Sequence, residues 1–145
     1  RGVNPEATYR EVYGAVPLRK VRLLHASLET LEVDREGGVS WMTIPTPAYQ
    51  ELEAKAEDVE GLVDYPREVE GTEVGLLFRE TAAGGTKISF RSNGGVDVNA
   101  LARKFGGGGH VKASGAMVEA PLAEVRPRVL EETRAAIRAA REGEA

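Results

Sequence analysis

Apolar side chains near the start of the chain recur at the spacing of one helix face. Within "VPLRKVRLLHASLETLEV" they lie three or four positions apart, at Val21, Leu24, Leu28 and Leu31. This spacing predicts an amphipathic helix over about 17–31. The next apolar run, "GGVSWMTIP", follows a glycine turn and predicts a strand.

The middle of the chain predicts a second helix and a hairpin. In "TPAYQELEAKA" we place Thr46 at the N-cap and Pro47 at the first helical position. A short helix or turn is expected through "EDVEGLVDYP". Two apolar runs, "TEVGLLFRE" and "TKISFRS", then flank the turn region "TAAGG" and predict an antiparallel hairpin over about 72–91.

The last third of the chain predicts helix, glycine loop, strand and helix. Asp97 is expected to cap a helix in "VDVNALARKF", and "SGAMVEA" predicts a strand after the loop. The final segment predicts an amphipathic helix that Pro127 either kinks or starts, with these residues facing inward: Val125, Val129, Thr133, Ile137 and Ala140. Because strands and helices are interleaved, the fold class is α/β, a mixed β-sheet flanked by helices.

The length and residue types predict one domain. The chain has 145 residues and no cysteine, which excludes a disulfide framework and a thiolate metal site. We expect a single domain over 17–145, with 1–16 as a tether or the remnant of an interdomain linker, and the sequence as a whole to be a fragment. No apolar run approaches the roughly 20 residues of a membrane span, and no signal-peptide pattern opens the chain, so we expect a cytoplasmic protein without a membrane partner.

Basic charge is concentrated in one part of an acidic chain. The net charge is -4, which argues against a general affinity for nucleic acid. Residues 87–112 nevertheless carry a net charge of +4, and the remainder carries -8. The basic charge therefore lies beside the glycine loop.

The stretch "FGGGGHVKASGA" combines four glycines with one of the two histidines of the chain. Consecutive glycines allow backbone N–H groups to point into a concavity that binds anionic oxygens. The alternative is a connector in which Gly106 caps the helix and the other glycines turn the chain. His110 and Lys112 follow at once, and Arg91 and Ser92 end the preceding strand, so donors for phosphate surround the loop.

Two familiar phosphate loops do not match this stretch. A P-loop lies between a strand and a helix and ends in Gly-Lys-Ser/Thr, whereas this loop follows a helix and lacks that ending. A Rossmann turn also joins a strand to the helix that cradles the pyrophosphate. Both classes of site are excluded by context.

The stretch "KISFRSNGGVDVNALARKFGGGGHVKASGA" resembles the C-terminal, DHH-associated domain of the DHH phosphoesterases. With "EGLVDYP", it is similar to the nanoRNase branch, the bifunctional oligoribonucleases and phosphoadenosine-phosphate phosphatases. A similar loop occurs in alanyl-tRNA synthetases, but an arginine usually replaces this histidine there. The resemblance implies a DHH-associated fold that holds a nucleic-acid substrate against a separate N-terminal catalytic domain.

The resemblance also implies roles for individual residues. Arg91 and Ser92 would contact the substrate, and the backbone of Gly107, Gly108 and Gly109 together with His110 would bind a terminal phosphate. Lys112 is included among the candidate phosphate contacts only because it is basic and lies close to His110 in the sequence. Arg103 and Lys104 form either a rim that follows the nucleic-acid backbone or a solvated helix end.

The family's chemistry uses two divalent metal ions, normally manganese, in the N-terminal domain that carries its Asp-His-His motif. This sequence has no such motif, so we predict no catalytic or metal-binding residue here and no hydrolysis by this chain alone. His25 lies on the first helix and is expected to be a packed or rim residue. Trp41 is expected to pack rather than to stack a base.

The expected partners are short single-stranded RNA or DNA, or a phosphorylated nucleotide, together with the catalytic domain and a possible homodimer of the parent protein. Two other classes of function remain open at this point. The loop could serve packing or self-association in an interaction domain, or the chain could bind a mononucleotide alone. Binding that weakens with salt would favour nucleic acid.

Overall fold

The computed structural model describes residues 2–9 and 14–144, which form seven helices and six strands. The strands are β1 (Glu32–Asp34), β2 (Val39–Ile44), β3 (Val74–Glu80), β4 (Thr86–Ser92), β5 (Gly108–Gly109) and β6 (Ala113–Val118). The helices are α1 (Pro5–Tyr9), α2 (Leu18–Leu28), α3 (Thr46–Glu51), α4 (Ala56–Val59), α5 (Asp64–Glu68), α6 (Val98–Arg103) and α7 (Leu122–Glu144). Part of the predicted tether, residues 1 and 10–13, lies outside the described residues.

The described strands form one mixed sheet in the order β1-β2-β3-β4-β6-β5. Only β2 and β3 are parallel, and the chain between them carries α3, α4 and α5. The predicted hairpin is β3 and β4, paired antiparallel from Val74 with Ser92 to Glu80 with Thr86. The predicted α/β fold with a mixed sheet and flanking helices is thus confirmed.

Helices cover the two faces of the sheet unequally. The first face carries Phe78 and Phe90, both fully buried, and packs against α6 and α7. The second face is covered over β2 and β3, where Met42 and Leu77 pack against Leu23 and the segment after α4. Beyond β3, the second face of β4 and β6 carries exposed or half-buried side chains.

Two predictions of element boundaries are wrong, and one of the two alternatives for Pro127 is excluded. The first helix ends at Leu28 rather than near 31, since β1 follows and pairs with β2. Thr46 is the first helical residue rather than the N-cap, which is Pro45. Pro127 lies inside α7, five residues after the helix begins at Leu122, and so does not set its start.

Candidate nucleic-acid interface

The second face of the hairpin carries a row of basic and small polar side chains. The register places Arg79 opposite Lys87, Leu77 opposite Ser89, and Gly75 opposite Arg91. Because side chains alternate along a strand, Lys87, Ser89 and Arg91 share one face, while Ile88 and Phe90 enter the core. Arg91 therefore faces away from the core, as expected from Phe90 pointing inward.

These side chains line a groove of about 260 Å³. Its sheet side is formed by Leu77, Arg79, Lys87, Ser89 and Arg91. Its other side, called here the helical wall, is formed by Ala56, Val59, Glu60, Gly61 and Val63. The groove is thus basic along the sheet and mainly apolar along the helical wall.

The cations of the groove are not neutralised by the part of the chain that the structure describes. Within it, no salt bridge joins Arg79, Lys87 or Arg91 to a carboxylate. Arg91 Nη1 donates to the carbonyl oxygen of Phe90 at 2.9 Å and lies 3.5 Å from that of Ser114. The Arg79 guanidinium stacks over the ring of Tyr49, 5.0 Å from its centroid. This arrangement leaves positive charge available to an anion.

A buried carboxylate fixes the helical wall to α2. Asp58 is 1 % exposed, and its Oδ2 accepts from Arg19 Nε and from the backbone N–H of Lys55, each at 2.8 Å. The hydrogen bond from Arg19, followed by that from the Lys55 backbone, holds the pKa of Asp58 below its ordinary value near 3.8. The hydrogen bonds that Asp34 accepts from the Gly37 backbone and Arg134 lower the pKa of Asp34 as well.

We expect these two carboxylates to make the fold sensitive to acid. Because their pKa values are lower in the folded chain than in the unfolded chain, unfolding takes up protons in acid. Their stabilisation is complete above the ordinary pKa near 3.8 and is lost as the pH falls through the lower folded-state values. Urea unfolding at about pH 6 and about pH 3 should show this loss, and Asp58→Asn should reduce the difference. Equal stability at both pH values would contradict the expectation.

The glycine loop begins at the C-terminal end of α6. Asp97 caps the start of this helix, as predicted, accepting from the N–H groups of Asn99 and Ala100. Gly106 has φ +79°, and its N–H donates to the Arg103 carbonyl while that of Gly107 donates to the Ala102 carbonyl. This pair of bonds is the Schellman arrangement that ends a helix. Gly106 therefore caps α6, as expected if the glycine run serves as a connector between the helix and the next strand.

The following glycines lie directly against β6, where Gly108 pairs with Gly115 and Gly109 with Ser114. A Cβ at Gly107 would collide with the Gly115 carbonyl oxygen and lie 2.7 Å from the Ala116 Cα. A Cβ at Gly109 would lie 2.7 Å from the Ala113 carbonyl oxygen. At these two positions glycine is required for close packing of two backbones.

The amide groups of the loop are largely used inside the chain. Gly107 donates to Ala102, Gly109 donates to Asn99 Oδ1 at 2.9 Å, and His110 donates to the Ala113 carbonyl at 2.7 Å. This differs from the open concavity of N–H groups expected from the sequence. Phosphate binding at this loop would therefore depend more on side chains than the glycine run suggested.

A tight turn brings His110 towards the strand that carries Arg91. His110 and Ala113 exchange two backbone hydrogen bonds, and Ala113 is the cross-strand partner of Arg91. Two strand spacings place the backbones of His110 and Arg91 about 10 Å apart. The His110 side chain is exposed, and Lys112 is also exposed and donates through Nζ to the Gly94 carbonyl. His110 and Arg91 are thus two strands apart at the edge of the sheet, and His110 does not itself line the groove.

The structure does not bring all the predicted residues together. Ser92 is 5 % exposed, points to the opposite face from Arg91, and donates to the Gly94 carbonyl at 3.4 Å. Lys104 pairs with Glu132 of α7 at 2.8 Å, while Arg103 is exposed beside it on α6. Neither of these two cations lines the groove.

On the sheet side of the groove, sequence reasoning missed three polar residues, namely Arg79, Lys87 and Ser89. Ser89 could have been predicted from the sequence, because residues two positions apart in a strand lie on the same face and Ser89 is two positions before Arg91. Arg79 had no such signal, since it depends on the register of β3 with β4.

The remaining residues singled out in the sequence lie elsewhere. His25 is exposed on α2, and its Nε2 lies 3.5 Å from Oε1 of Glu29, the residue that follows this helix. Trp41 packs against the main core beneath the guanidinium of Arg134. Among the residues that the structure describes, no three His, Asp or Glu side chains form a group that could hold a metal ion.

A comparison with protein families matches residues 43–139 to the DHHA1 domain. The chain belongs to the DHHA1 domain family. Its DHHA1 domain contains the whole hairpin and glycine loop. This confirms the resemblance to a DHH-associated domain drawn from "KISFRSNGGVDVNALARKFGGGGHVKASGA".

Curated relatives of this DHHA1 chain carry the name bifunctional oligoribonuclease and PAP phosphatase NrnA. The protein from Thermus thermophilus is 39% identical over 94 residues, which are 64% of this chain and 28% of that protein. The protein from Mycoplasma pneumoniae is 41% identical over 51 residues, which are 35% of this chain and 15% of that protein. The chain thus matches less than a third of the length of either relative and lies near the nanoRNase branch.

Two solved structures share the fold. An exopolyphosphatase-related protein from Bacteroides fragilis superposes with a TM-score of 0.81 at 26% identity, covering 94% of this chain and 41% of that one. The pGpG-specific phosphodiesterase PggH from Vibrio cholerae superposes with a TM-score of 0.56 at 12% identity, covering 91% and 44%. No helix in the described parts of the chain has the length and apolar character needed to cross a membrane.

Proposed function

We propose that this chain is the substrate-binding part of a DHH phosphoesterase of the nanoRNase type. It holds short single-stranded RNA, or a phosphorylated nucleotide, by a terminal phosphate. The hydrolytic step belongs to a separate catalytic domain, which would use two divalent metal ions such as manganese. The observation that supports this most is the basic second face of β4, where Arg91 lies without a carboxylate partner among the described residues and near His110.

The chemistry of this surface favours a phosphate. Arg91 offers a planar fork of donors that matches phosphate oxygens, and Ser89 adds a hydroxyl on the same face. Because glycines have no side chains, the loop packs directly on β6. The His110 imidazole that follows it is exposed at the edge of the sheet and is accessible to a ligand. The role of this chain in the reaction is then positional: it orients the substrate for the catalytic domain.

Fluorescence anisotropy of an RNA trinucleotide, labelled at its 3′ end, tests this proposal. The chain should bind the 5′-phosphorylated trinucleotide more tightly than the unphosphorylated one, and added salt should weaken binding. His110→Ala should reduce affinity for the phosphorylated RNA by about tenfold, because a hydrogen bond to a charged group is lost.

His25→Ala is the matched control, since His25 is the other histidine and lies exposed on α2. It should leave the affinity unchanged. Equal affinity for the two trinucleotides, or no binding by the unmodified chain, would overturn the proposal.

A further inference from the structure

The groove continues from Arg91 along the hairpin to a second pair of cations. Arg79 and Lys87 are directly opposite each other on β3 and β4, and both line the groove. Cross-strand partners on one face have Cβ atoms about 4.5–5.5 Å apart, so the two cations can contact a single anionic group. Neither forms a salt bridge with a described carboxylate.

This second pair is too far from the glycine loop to share one phosphate with it. Gly109 and Lys87 are separated by two strand spacings and three residues along β4, roughly 14 Å between Cα atoms. A ligand that contacts both must therefore be longer than one phosphate group. Arg91 and Ser89 lie between them on the same face.

The helical wall opposite the cations suits a flat apolar group. Ala56, Val59 and Val63 contribute apolar surface there, with Leu77 at the base of the groove. The Arg79 guanidinium stacks on the ring of Tyr49 of α3, which orders this cation at the side of the groove before a ligand binds. The volume of about 260 Å³ is below the roughly 300 Å³ at which drug-sized pockets begin, so the groove admits a small group such as one nucleobase.

Charge sets the orientation of such a ligand. Glu60 is exposed on the helical wall and would repel a phosphate, while Arg79 and Lys87 on the sheet would attract one. The anionic part of the ligand is therefore directed to the sheet and its apolar part to the helical wall.

We propose that this groove is a second nucleotide subsite, in which Arg79 and Lys87 bind an internal phosphodiester and the helical wall contacts the adjoining base. This proposal rests on the proposed function, because it assumes that the terminal phosphate lies near Arg91 and His110. It makes the groove a determinant of oligonucleotide length: a mononucleotide occupies the first site only. The apolar wall offers little to distinguish one base from another, so the subsite tolerates different sequences.

The test compares a 5′-phosphorylated RNA trinucleotide with adenosine 5′-monophosphate as competing ligands for the chain. Lys87→Gln and Arg79→Gln should each weaken trinucleotide binding about three- to tenfold and leave the affinity for the mononucleotide unchanged. For the trinucleotide, each variant should also reduce the slope of log K against log salt by about 0.7, the value for one lost contact to a single strand. Lys87 is exposed, so its replacement should not disturb folding.

Arg138→Gln is the control, because Arg138 is exposed on α7 at the other face of the sheet and its replacement removes the same charge. It should change neither ligand's affinity. Equal losses for the mononucleotide and trinucleotide in Lys87→Gln, or no loss for either, would overturn the second subsite. Such results would leave the proposed function intact if binding still required the 5′ phosphate and His110, whereas loss of those two requirements would overturn the proposed function itself.

Discussion

Gly107→Ala is expected to lower the free energy of unfolding by about 3 kcal/mol or more. The added methyl group would collide with the Gly115 carbonyl oxygen and approach the Cα of Ala116 to 2.7 Å. Both are backbone atoms of β6, so no side chain can rotate away to make room. The loop would have to leave the sheet or β6 would have to leave β4. The midpoint of urea unfolding measures the effect, with the slope m unchanged if the transition remains two-state.

The matched control is Gly108→Ala, the same substitution one residue later. A Cβ there meets only the Asn99 Oδ1 atom, at 3.3 Å, and that side chain can shift. We expect its unfolding free energy to stay within about 1 kcal/mol of the unmodified chain. If Gly107→Ala is as stable as Gly108→Ala, the loop does not lie against β6 as the structure shows.

Arg91→Ala is expected to weaken binding of a 5′-phosphorylated RNA trinucleotide by on the order of 1.5–3 kcal/mol, which is about 10- to 150-fold. Arg91 is the cation nearest to the loop on the second face of β4, and it already donates to the Phe90 carbonyl, so its guanidinium is partly ordered before a ligand binds. The loss should appear in anisotropy titrations at low salt and shrink as salt is added. Thermal unfolding should change little, because the side chain points away from the core.

Arg138→Ala serves as the charge-matched control for this prediction. It removes an exposed arginine from α7, on the opposite side of the sheet. Its RNA affinity should match that of the unmodified chain. Unchanged affinity in Arg91→Ala would remove Arg91 from the site.

The main elements of the fold could be predicted because their signals are local. The alternation in "TKISFRS" indicates a strand with Phe90 inward and Arg91 outward, and the structure has both. The inward residues of α7 follow in the same way from helical spacing: Val125, Val129, Thr133 and Ile137 are fully buried. β1 was not predicted because its three residues, Glu32–Asp34, are too few to show the alternation of a strand, and the helical spacing before them was extended to Leu31.

The groove could not be predicted in full because it depends on contacts between distant segments. Arg79 joins Lys87 only through the register of two strands, and the helical wall is held to α2 by the hydrogen bond from Arg19 to Asp58, 39 positions apart. Sequence reasoning also gave Ser92 the place that Ser89 occupies, since it grouped neighbours along the chain rather than along one face. The glycine run was noticed, but its close packing on β6 requires the tertiary structure.

Neither edge strand of the sheet is a good template for pairing with another strand. At one end β1 has only three residues, two of them acidic, and at the other β5 is a pair of glycines. Short and charged edges are a common protection against edge-to-edge pairing and aggregation. A strand of a neighbouring copy could therefore pair with at most three residues of β1 or two residues of β5. If copies of this chain associate, we therefore expect their contact to be made by side chains of helices or of the sheet face rather than by strands added to β1 or β5.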